Sequence, residues 1–557
     1  MPHVITQNCC NDASCVSACP VNCIHPTPEE SAYATAEMLY IDPDACVDCG
    51  QCVNACPVEA IVPDDRLDAA SKPYLELNRQ FFADPGRKLY SAAPYKRPEA
   101  RIDVDERGPL RVAIVGSGPS GSFAAQELLS HSGIRAEVHL FERLPTPWGL
   151  VRFGVAPDHQ KTKLMTELFE RTAGLDGLQF HLNVTVGEHV THDELLAHHH
   201  AVIYTVGASN DRKLNIPGEE LPGSHSATDF VAWYNGHPDF ADRHFDLSAE
   251  RAVVVGNGNV ALDVARVLAS DIDYLARTDI ADHALEALSK SRIKEVVVLG
   301  RRGPAQAAFT TPELLGLLDH GFHVSVDAKA APQADLPAIA ALKEAILARL
   351  AGRPRRQGVK HLVLRFLGSP TEILGENRVS ALRIEQNELV IDDRGRSRAQ
   401  ATGKAEAIAC GLVLRSIGYQ GKKLPGLPID EATGTLPNDR GRVIDPATGI
   451  ALQGIYTAGW IKRGPSGVIG TNKKCAAETV RGLLEDFAAG RLTAPRHGSD
   501  ELRALIALRQ PLAVNYAGWK AIDLYERDLA RPRNRPRVKL TAVSEMLEVA
   551  HGGRTNE

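Results

Sequence analysis

Residues 46–57 read Cys-Val-Asp-Cys-Gly-Gln-Cys-Val-Asn-Ala-Cys-Pro, a C-x2-C-x2-C-x3-C-P run that constrains folding more than any other stretch of the chain. Three thiolates at this spacing wrap a loop around one face of an iron–sulfur cubane, and the fourth, beyond a turn, reaches a second cluster. An imperfect copy of the same frame lies upstream. It keeps Cys9, Cys15, Cys19 and Pro20 but has Asp12 where a cysteine is expected. The two copies together allot Cys46, Cys49, Cys52 and Cys19 to one [4Fe–4S] cluster, and Cys9, Cys15 and Cys56 to another. A carboxylate is a harder and weaker ligand for this iron than a thiolate. The second site is therefore expected to hold a [3Fe–4S] cluster, or a second [4Fe–4S] cluster with Asp12 or water on a labile iron. Cys10 offers an alternative register to Cys9. Cys23 falls outside the frame and reads as a free, buried thiol. Structural zinc is the competing use of such cysteines, and the triplet-plus-proline spacing speaks against it.

Nine of the eleven cysteines lie between Cys9 and Cys56. With no basic and apolar leader in MPHVITQNCC, this crowding points to metal binding in a reducing compartment rather than to disulfides. No apolar run reaches membrane-span length, so a cytoplasmic protein without a transmembrane segment is expected. A net charge of −6 argues against nucleic acid as the main partner. Charge is uneven, however. Residues 1–66 hold ten acids and a single arginine, Arg66, so the rest of the chain is net basic. An acidic module on a basic body can dock electrostatically; a solvated acidic face is the plainer alternative.

A chain of 557 residues exceeds one core, and three or four domains are expected. Residues 1–66 form the cysteine module. Residues 67–108 read as a connector, with Pro73, Pro85, Gly86, Pro94 and Pro98 interrupting any long element; Tyr74, Phe81, Phe82 and Tyr90 suggest that it packs on the body. From Leu110 the pattern becomes strand, glycine turn, helix, strand, and it starts again at Arg251. The runs at 201–209, 411–420 and 454–460 are apolar enough for strands covered on both faces. Domains are drawn at 109–215, 216–414 and 415–485, with a C-terminal extension of helix and coil at 486–557.

The first turn is Gly116-Ser-Gly118-Pro-Ser-Gly121. Its glycines permit a tight turn and close approach to a pyrophosphate at the helix N-terminus. Glu142, ending the next strand, is placed to accept from ribose hydroxyls. The second turn is Gly256-Asn-Gly258-Asn259-Val260-Ala261, and its following strand ends in Arg301 and Arg302 instead of an acid. Two guanidiniums there match a 2′-phosphate in charge and geometry, favouring NADP(H) over NAD(H); a solvated turn is the alternative use of these arginines. The acid favours FAD at the first turn. The order fits flavoprotein reductases whose NADP domain is inserted into the FAD domain.

Residues 1–66 resemble bacterial dicluster ferredoxins of the seven-iron kind. The segments at 145–163, 256–268, 300–314 and 459–474 resemble the adrenodoxin-reductase-like ferredoxin–NADP reductases. The whole chain is similar to mycobacterial-type fusions of the two. The resemblance implies a multidomain architecture, with an α+β dicluster ferredoxin followed by two α/β Rossmann-like domains. It implies Gly149 and Leu150 as flavin contacts, Trp460 beside the isoalloxazine, and Gly467, Val468 and Ile469 closing over the flavin. It further implies Glu313 near the NADP phosphates or ribose, Val186 at the FAD adenine, and His159 and Glu219 near the hydride-transfer region.

The implied activity is reversible hydride transfer between NADP(H) and FAD, coupled to one-electron transfer through the fused clusters to an external acceptor or donor protein. A flavin is the needed converter, because nicotinamide gives electrons in pairs and clusters take them singly. Three other readings compete. A disulfide reductase would need a dithiol, and the body holds only Cys410 and Cys475. The chain could also be the electron-input subunit of a larger complex. Alternatively, its cysteine module could be a sensor or structural clip.

Overall fold

The computed structural model describes all residues except 1, 85–86, 88–89, 92, 96–107, 319–321, 328–335, 355, 394–395 and 554–557. The two copies of the cysteine frame fold alike. Each gives a short helix, Ser14–Ala18 and Gln51–Ala55, entered through a left-handed residue (Ala13, φ 59°; Gly50, φ 71°) and ended by a cysteine in extended conformation, Cys19 or Cys56. Pro20 and Pro57 follow, and the residue before a proline is pushed out of helical conformation. The strands close the module in pairs: His3–Ile5 runs antiparallel to Ile61–Pro63, and Ile24–His25 to Tyr40–Ile41.

The connector departs from the sequence expectation of a broken segment. Pro73 sits in the first turn of a helix, Pro73–Phe81, where its missing N–H costs nothing. That helix belongs to the cysteine module as much as to the body. Asn78 accepts from the amides of Ile5 and Ile41 and donates to the Ile5 carbonyl, and Phe81 stacks on Tyr40. Tyr74 reaches the body, donating to the Pro312 carbonyl at 2.9 Å. Pro85, Gly86 and Pro98 lie outside the described residues.

The body is built around two large sheets. The first has seven strands, ordered Asn438–Asp439, Arg442–Ile444, Ala451–Thr457, Ala201–Tyr204, Leu110–Val115, Ala136–Glu142 and Leu178–Leu182. From Ala451–Thr457 onward every pairing is parallel. The second has six parallel strands, ordered Ser224–Ser226, Leu412–Arg415, Arg251–Val255, Glu295–Leu299, His361–Arg365 and His323–Asp327. The central strands of both are buried on both faces, as parallel sheets require. The chain leaves the first sheet after Tyr204 and rejoins it at Asn438, so the second sheet is an insertion.

Two features were not anticipated from sequence. One is an antiparallel meander, Gly368–Leu374, Ala381–Ile391 and Ser397–Ala409, whose third strand is mostly exposed and so has no apolar alternation to read. The other is how firmly the C-terminal extension is built in. Its helices are Ser499–Arg509, Tyr516–Ala530 and Val543–Ala550. Val514 exchanges both backbone hydrogen bonds with Leu182, and Glu526 receives a two-pronged pair from Arg152, both side chains buried.

Candidate functional site

In the cysteine module, Cys19, Cys46, Cys49 and Cys52 line one cleft, together with Cys23. The Cys23 Sγ lies 3.4 Å from that of Cys19. Hydrogen bonding from the Cys23 thiol holds Cys19 down at about 6 and Cys46 at about 5, while the same contacts push Cys23 itself far up. Four converging sulfurs with the Cys23 sulfur behind them fit a [4Fe–4S] cluster.

The second group is Cys9, Cys15 and Cys56, with Asp12 close enough for its charge to be felt by each. Burial pushes Cys9 up to about 12 and raises the other two. Such buried thiolates need a cation's charge, which iron supplies. Amide hydrogens already point at sulfur, from Leu39 to Cys9 (3.5 Å) and from Ala60 to Cys56 (3.3 Å). The latter repeats the Cys23 amide bond to Cys19. The Cys10 Sγ lies 3.6 Å from Met165 Sδ of the body. Asp12 is buried; it accepts from Ser14 and lies 3.6 Å from Lys473 Nζ.

Three segments of the first sheet's domain converge on the first glycine turn. Gly149 (φ 47°, ψ −125°) packs its backbone on Gly118, where a Cβ would lie 3.0 Å from the Gly118 Cα. Trp148 donates its amide to the Ser117 carbonyl, and Ser120 donates to Asn472 Oδ1 at 3.0 Å. The last contact brings together the N-termini of helices Pro119–Leu129 and Thr471–Ala488. Both begin at a glycine with no side-chain cap; at Pro119–Leu129 this leaves the first amides and the positive dipole end available to an anion, whereas at Thr471–Ala488 the amides of Gly470, Asn472 and Lys473 already bind backbone carbonyls. Glu142 accepts from the Ser117 amide and hydroxyl and from the Leu144 amide, which sets its carboxylate over the turn. A glycine cradle, the uncapped end of Pro119–Leu129 and this acid fit FAD. Trp460 opens the helix Trp460–Arg463, donates Nε1–H to the Ser466 carbonyl, and lies 5.5 Å from the Tyr419 ring. Gly467, Val468 and Ile469 follow, and the carbonyls of Val468 and Ile469 accept from Asn472 Nδ2. Leu150 is exposed, and Val186 is half-buried in a loop bridged to Val190.

The second turn has the same build. Gly258 begins helix Asn259–Ala269 without a side-chain cap, and a Cβ there would meet open space. Asn259 accepts from the Thr310 amide at 2.8 Å, and Thr310 caps the helix bearing Glu313. Val260 and Ala261 pack into the domain core. Arg301 is exposed and Arg302 half-buried. Among the described residues neither guanidinium has an acidic partner. This donor set fits a phosphorylated dinucleotide.

Where the two domains meet, Arg266 is fully buried and gathers four side chains. Its Nε and Nη2 bind Asp158 (2.6 and 3.0 Å). Nη2 also reaches Asp263 (2.7 Å) and His159 Nε2 (2.8 Å), and Nη1 lies 3.7 Å from Glu313. Because arginine can only donate, His159 Nε2 is the acceptor and its Nδ1 carries the proton. His159, Asp263 and Glu313 are close enough to share a metal ion, but Arg266 Nη2 already binds His159 and Asp263. Burial pushes the Glu313 carboxyl up.

Glu219, expected from the resemblance to lie near the hydride-transfer region, is not among the side chains that Arg266 gathers. Its carboxylate accepts from the Leu214 and Asn215 amides (2.8 and 2.7 Å) and meets Arg415 Nε at 3.1 Å, which uses both oxygens in holding a turn. Glu313 is the acid beside His159, at 3.9 Å. Sequence reasoning passed over Asp158, Asp263 and Arg266. Asp263 and Arg266, three apart on one helix, look like an ordinary surface pair.

The cysteine module is seated directly on the body. Gly470 donates its amide to the Cys10 carbonyl at 2.7 Å, and Glu37 accepts from Lys343 and the Thr311 amide, both at 2.7 Å. Cys410 and Cys475 are each buried in separate cores, which leaves no dithiol in the body.

Comparison with known proteins adds three findings. The family described as 4Fe-4S binding domain matches residues 39–62, and that described as pyridine nucleotide-disulphide oxidoreductase matches 110–298. The chain is 52% identical to a probable ferredoxin/ferredoxin–NADP reductase of Mycobacterium tuberculosis (strain ATCC 25618 / H37Rv), over 99% of this chain and 95% of that one. The NADPH-ferredoxin reductase FprA of the same organism is 49% identical over 80% of this chain and 100% of that one. The solved structure of FprA in complex with NADPH superimposes with a TM-score of 0.74 at 48% identity, covering 80% of this chain and 100% of that one.

Proposed function

The chain belongs to the family of ferredoxin/ferredoxin–NADP reductase fusions, and from this we infer how its residues divide the work. It is an FAD-dependent ferredoxin–NADP(+) oxidoreductase with a 4Fe-4S module. When bound, the flavin supplies the conversion between one hydride and two single electrons.

The remaining work is done by the chain. The uncapped amides at Gly118 and Gly258 hold the two pyrophosphates, and Glu142 takes ribose hydroxyls on the flavin side. Arg301 and Arg302 select NADP(H) through its 2′-phosphate. Trp460 and residues 467–469 close the flavin crevice against water. Arg266 holds His159 in one tautomer, with Nδ1–H as donor, and fixes Glu313 beside it at the mouth between the two nucleotide domains. No side chain is required as a general base, because hydride transfer moves no proton onto the protein.

Cys19, Cys46, Cys49 and Cys52 hold the [4Fe–4S] cluster. Cys9, Cys15 and Cys56 hold the second, a [3Fe–4S] cluster, since Asp12 is engaged by Ser14 and Lys473. Electrons pass internally between the flavin crevice and this module, and from it to or from an external one-electron protein. The observation that carries this reading is the seating of the module on Gly470, next to the crevice segment 467–469.

Anaerobic stopped-flow mixing with NADPH tests the reading. Flavin bleaching is expected first, followed by loss of the cluster bands within one turnover. Flavin that bleaches while the clusters never respond would refute internal transfer and leave the module as a clip.

A further inference from the structure

The two cluster sites face opposite ways. On one side, among the described residues, the polar contacts of the Cys9–Cys15 stretch with the body gather at one place. Gly470 binds the Cys10 carbonyl, one residue from Cys9. Lys473 Nζ lies 3.2 Å from Ser14 Oγ, one residue from Cys15, and 3.6 Å from Asp12. Met165 touches Cys10. All but Met165 belong to the start of the helix that also carries Asn472, the side chain bound to Ser120 of the first glycine turn. On the other side, Cys49 is exposed, and its neighbours Val47 and Val53 are 58% and 36% exposed. The sites are adjacent, since Cys52 of one is within electrostatic reach of Cys15 of the other.

We propose that the Cys9/Cys15/Cys56 site is the station next to the flavin, that the Cys19/Cys46/Cys49/Cys52 site is the exit, and that Gly470 and Lys473 are the positioning residues that fix this order. The proposal rests on the internal-transfer reading above. In the NADPH-oxidising direction, one NADPH and two oxidised external acceptors give NADP+, one proton and two reduced acceptors. The two electrons traverse the stations one at a time, and both stations end the cycle oxidised.

Gly470 offers a clean perturbation. Its φ is −71°, which alanine adopts freely. A Cβ there would, however, penetrate the Asn11 carbonyl carbon and the Asp12 amide, which are backbone atoms with no rotamer to yield. Gly470→Ala should therefore lift the module from the body without touching a thiolate or the glycine turns.

The test uses the full-length holoprotein, mixed anaerobically with NADPH and frozen at successive times for EPR. Asp12→Cys identifies the flavin-side station, because it changes that signal alone. In the unsubstituted protein the flavin-side signal should respond before the exit signal. In Gly470→Ala, cluster reduction should slow roughly tenfold or more relative to flavin bleaching in the same mixing, from loss of a buried hydrogen bond and its neighbouring contacts. Lys473→Met, which inserts no Cβ, should slow cluster reduction in the same direction. If the exit signal responds first, or both variants reduce their clusters at the unsubstituted rate, the order and the seating are overturned while internal transfer stands. If neither cluster is reduced in the unsubstituted protein, the underlying reading fails instead.

Discussion

Replacing Arg266 with methionine should destabilise the body more than any change at its surface. The guanidinium has no exposure, Asp158 is 1% exposed, and Asp263 and Glu313 are each 15% exposed. Methionine preserves most of the stem but leaves three carboxylates facing one another with no cation among them. Breaking a buried pair by removing one partner costs about 3–5 kcal/mol. For a domain of this kind that corresponds to a melting shift of roughly 6–20 °C, read by calorimetry on the holoprotein.

The pH dependence provides a second check. Burial already pushes Glu313 up. Without Arg266, which holds it down, the folded-state pKa of Glu313 would rise further above its unfolded one. The resulting destabilisation is present above the folded pKa and is relieved as pH falls through it. The gap between variant and unsubstituted protein should therefore be widest at neutral and alkaline pH and shrink in acid. Arg266→Lys should recover only part of the loss, because an ammonium cannot reproduce the fork that binds Asp158. A gap under about 1 kcal/mol, or one unchanged between about pH 8 and pH 5, would refute the view that this arginine compensates buried charge.

Two further outcomes concern the nucleotide sites. Replacing Arg301 and Arg302 together with alanine should lower kcat/KM for NADPH by about 10- to 100-fold while leaving NADH nearly unchanged, since a lost charge-assisted bond costs about 1.5–3 kcal/mol; equal losses with both nucleotides would count against 2′-phosphate recognition. Gly149→Ala should purify with flavin well below one per chain, because alanine at φ 47°, ψ −125° is strained and its Cβ meets the Gly118 Cα at 3.0 Å. Full flavin content, measured by absorbance after denaturation, would argue that this cradle is not the FAD site.

Several features were legible because their chemistry is local in sequence. The cysteine frame keeps three ligands within one loop, so the spacing of Cys46, Cys49 and Cys52 carries its meaning unaided. The glycine turns are equally local: a Cβ at Gly121 would enter the Gly116 carbonyl, five residues back. The residues around Arg266 were not legible. Asp158 and Arg266 have no sequence relation, and Arg266 with Asp263 mimics a solvated helix pair. Glu219 shows what sequence hides in a recognisable segment: its carboxylate is bound by its own turn amides.

Composition and spacing alone determined that this chain carries a 4Fe-4S module and two nucleotide folds, the second suited to a phosphorylated dinucleotide. Only the tertiary structure decided which acid stands beside His159, that Pro73–Phe81 is a helix shared between module and body, and that the Asp12 side of the module is the side turned inward. The reason is physical. Ligand frames and glycine turns are satisfied within a few residues, whereas burial, charge compensation and docking depend on segments as distant as Cys10 and Gly470, which only the packed chain brings within 2.7 Å.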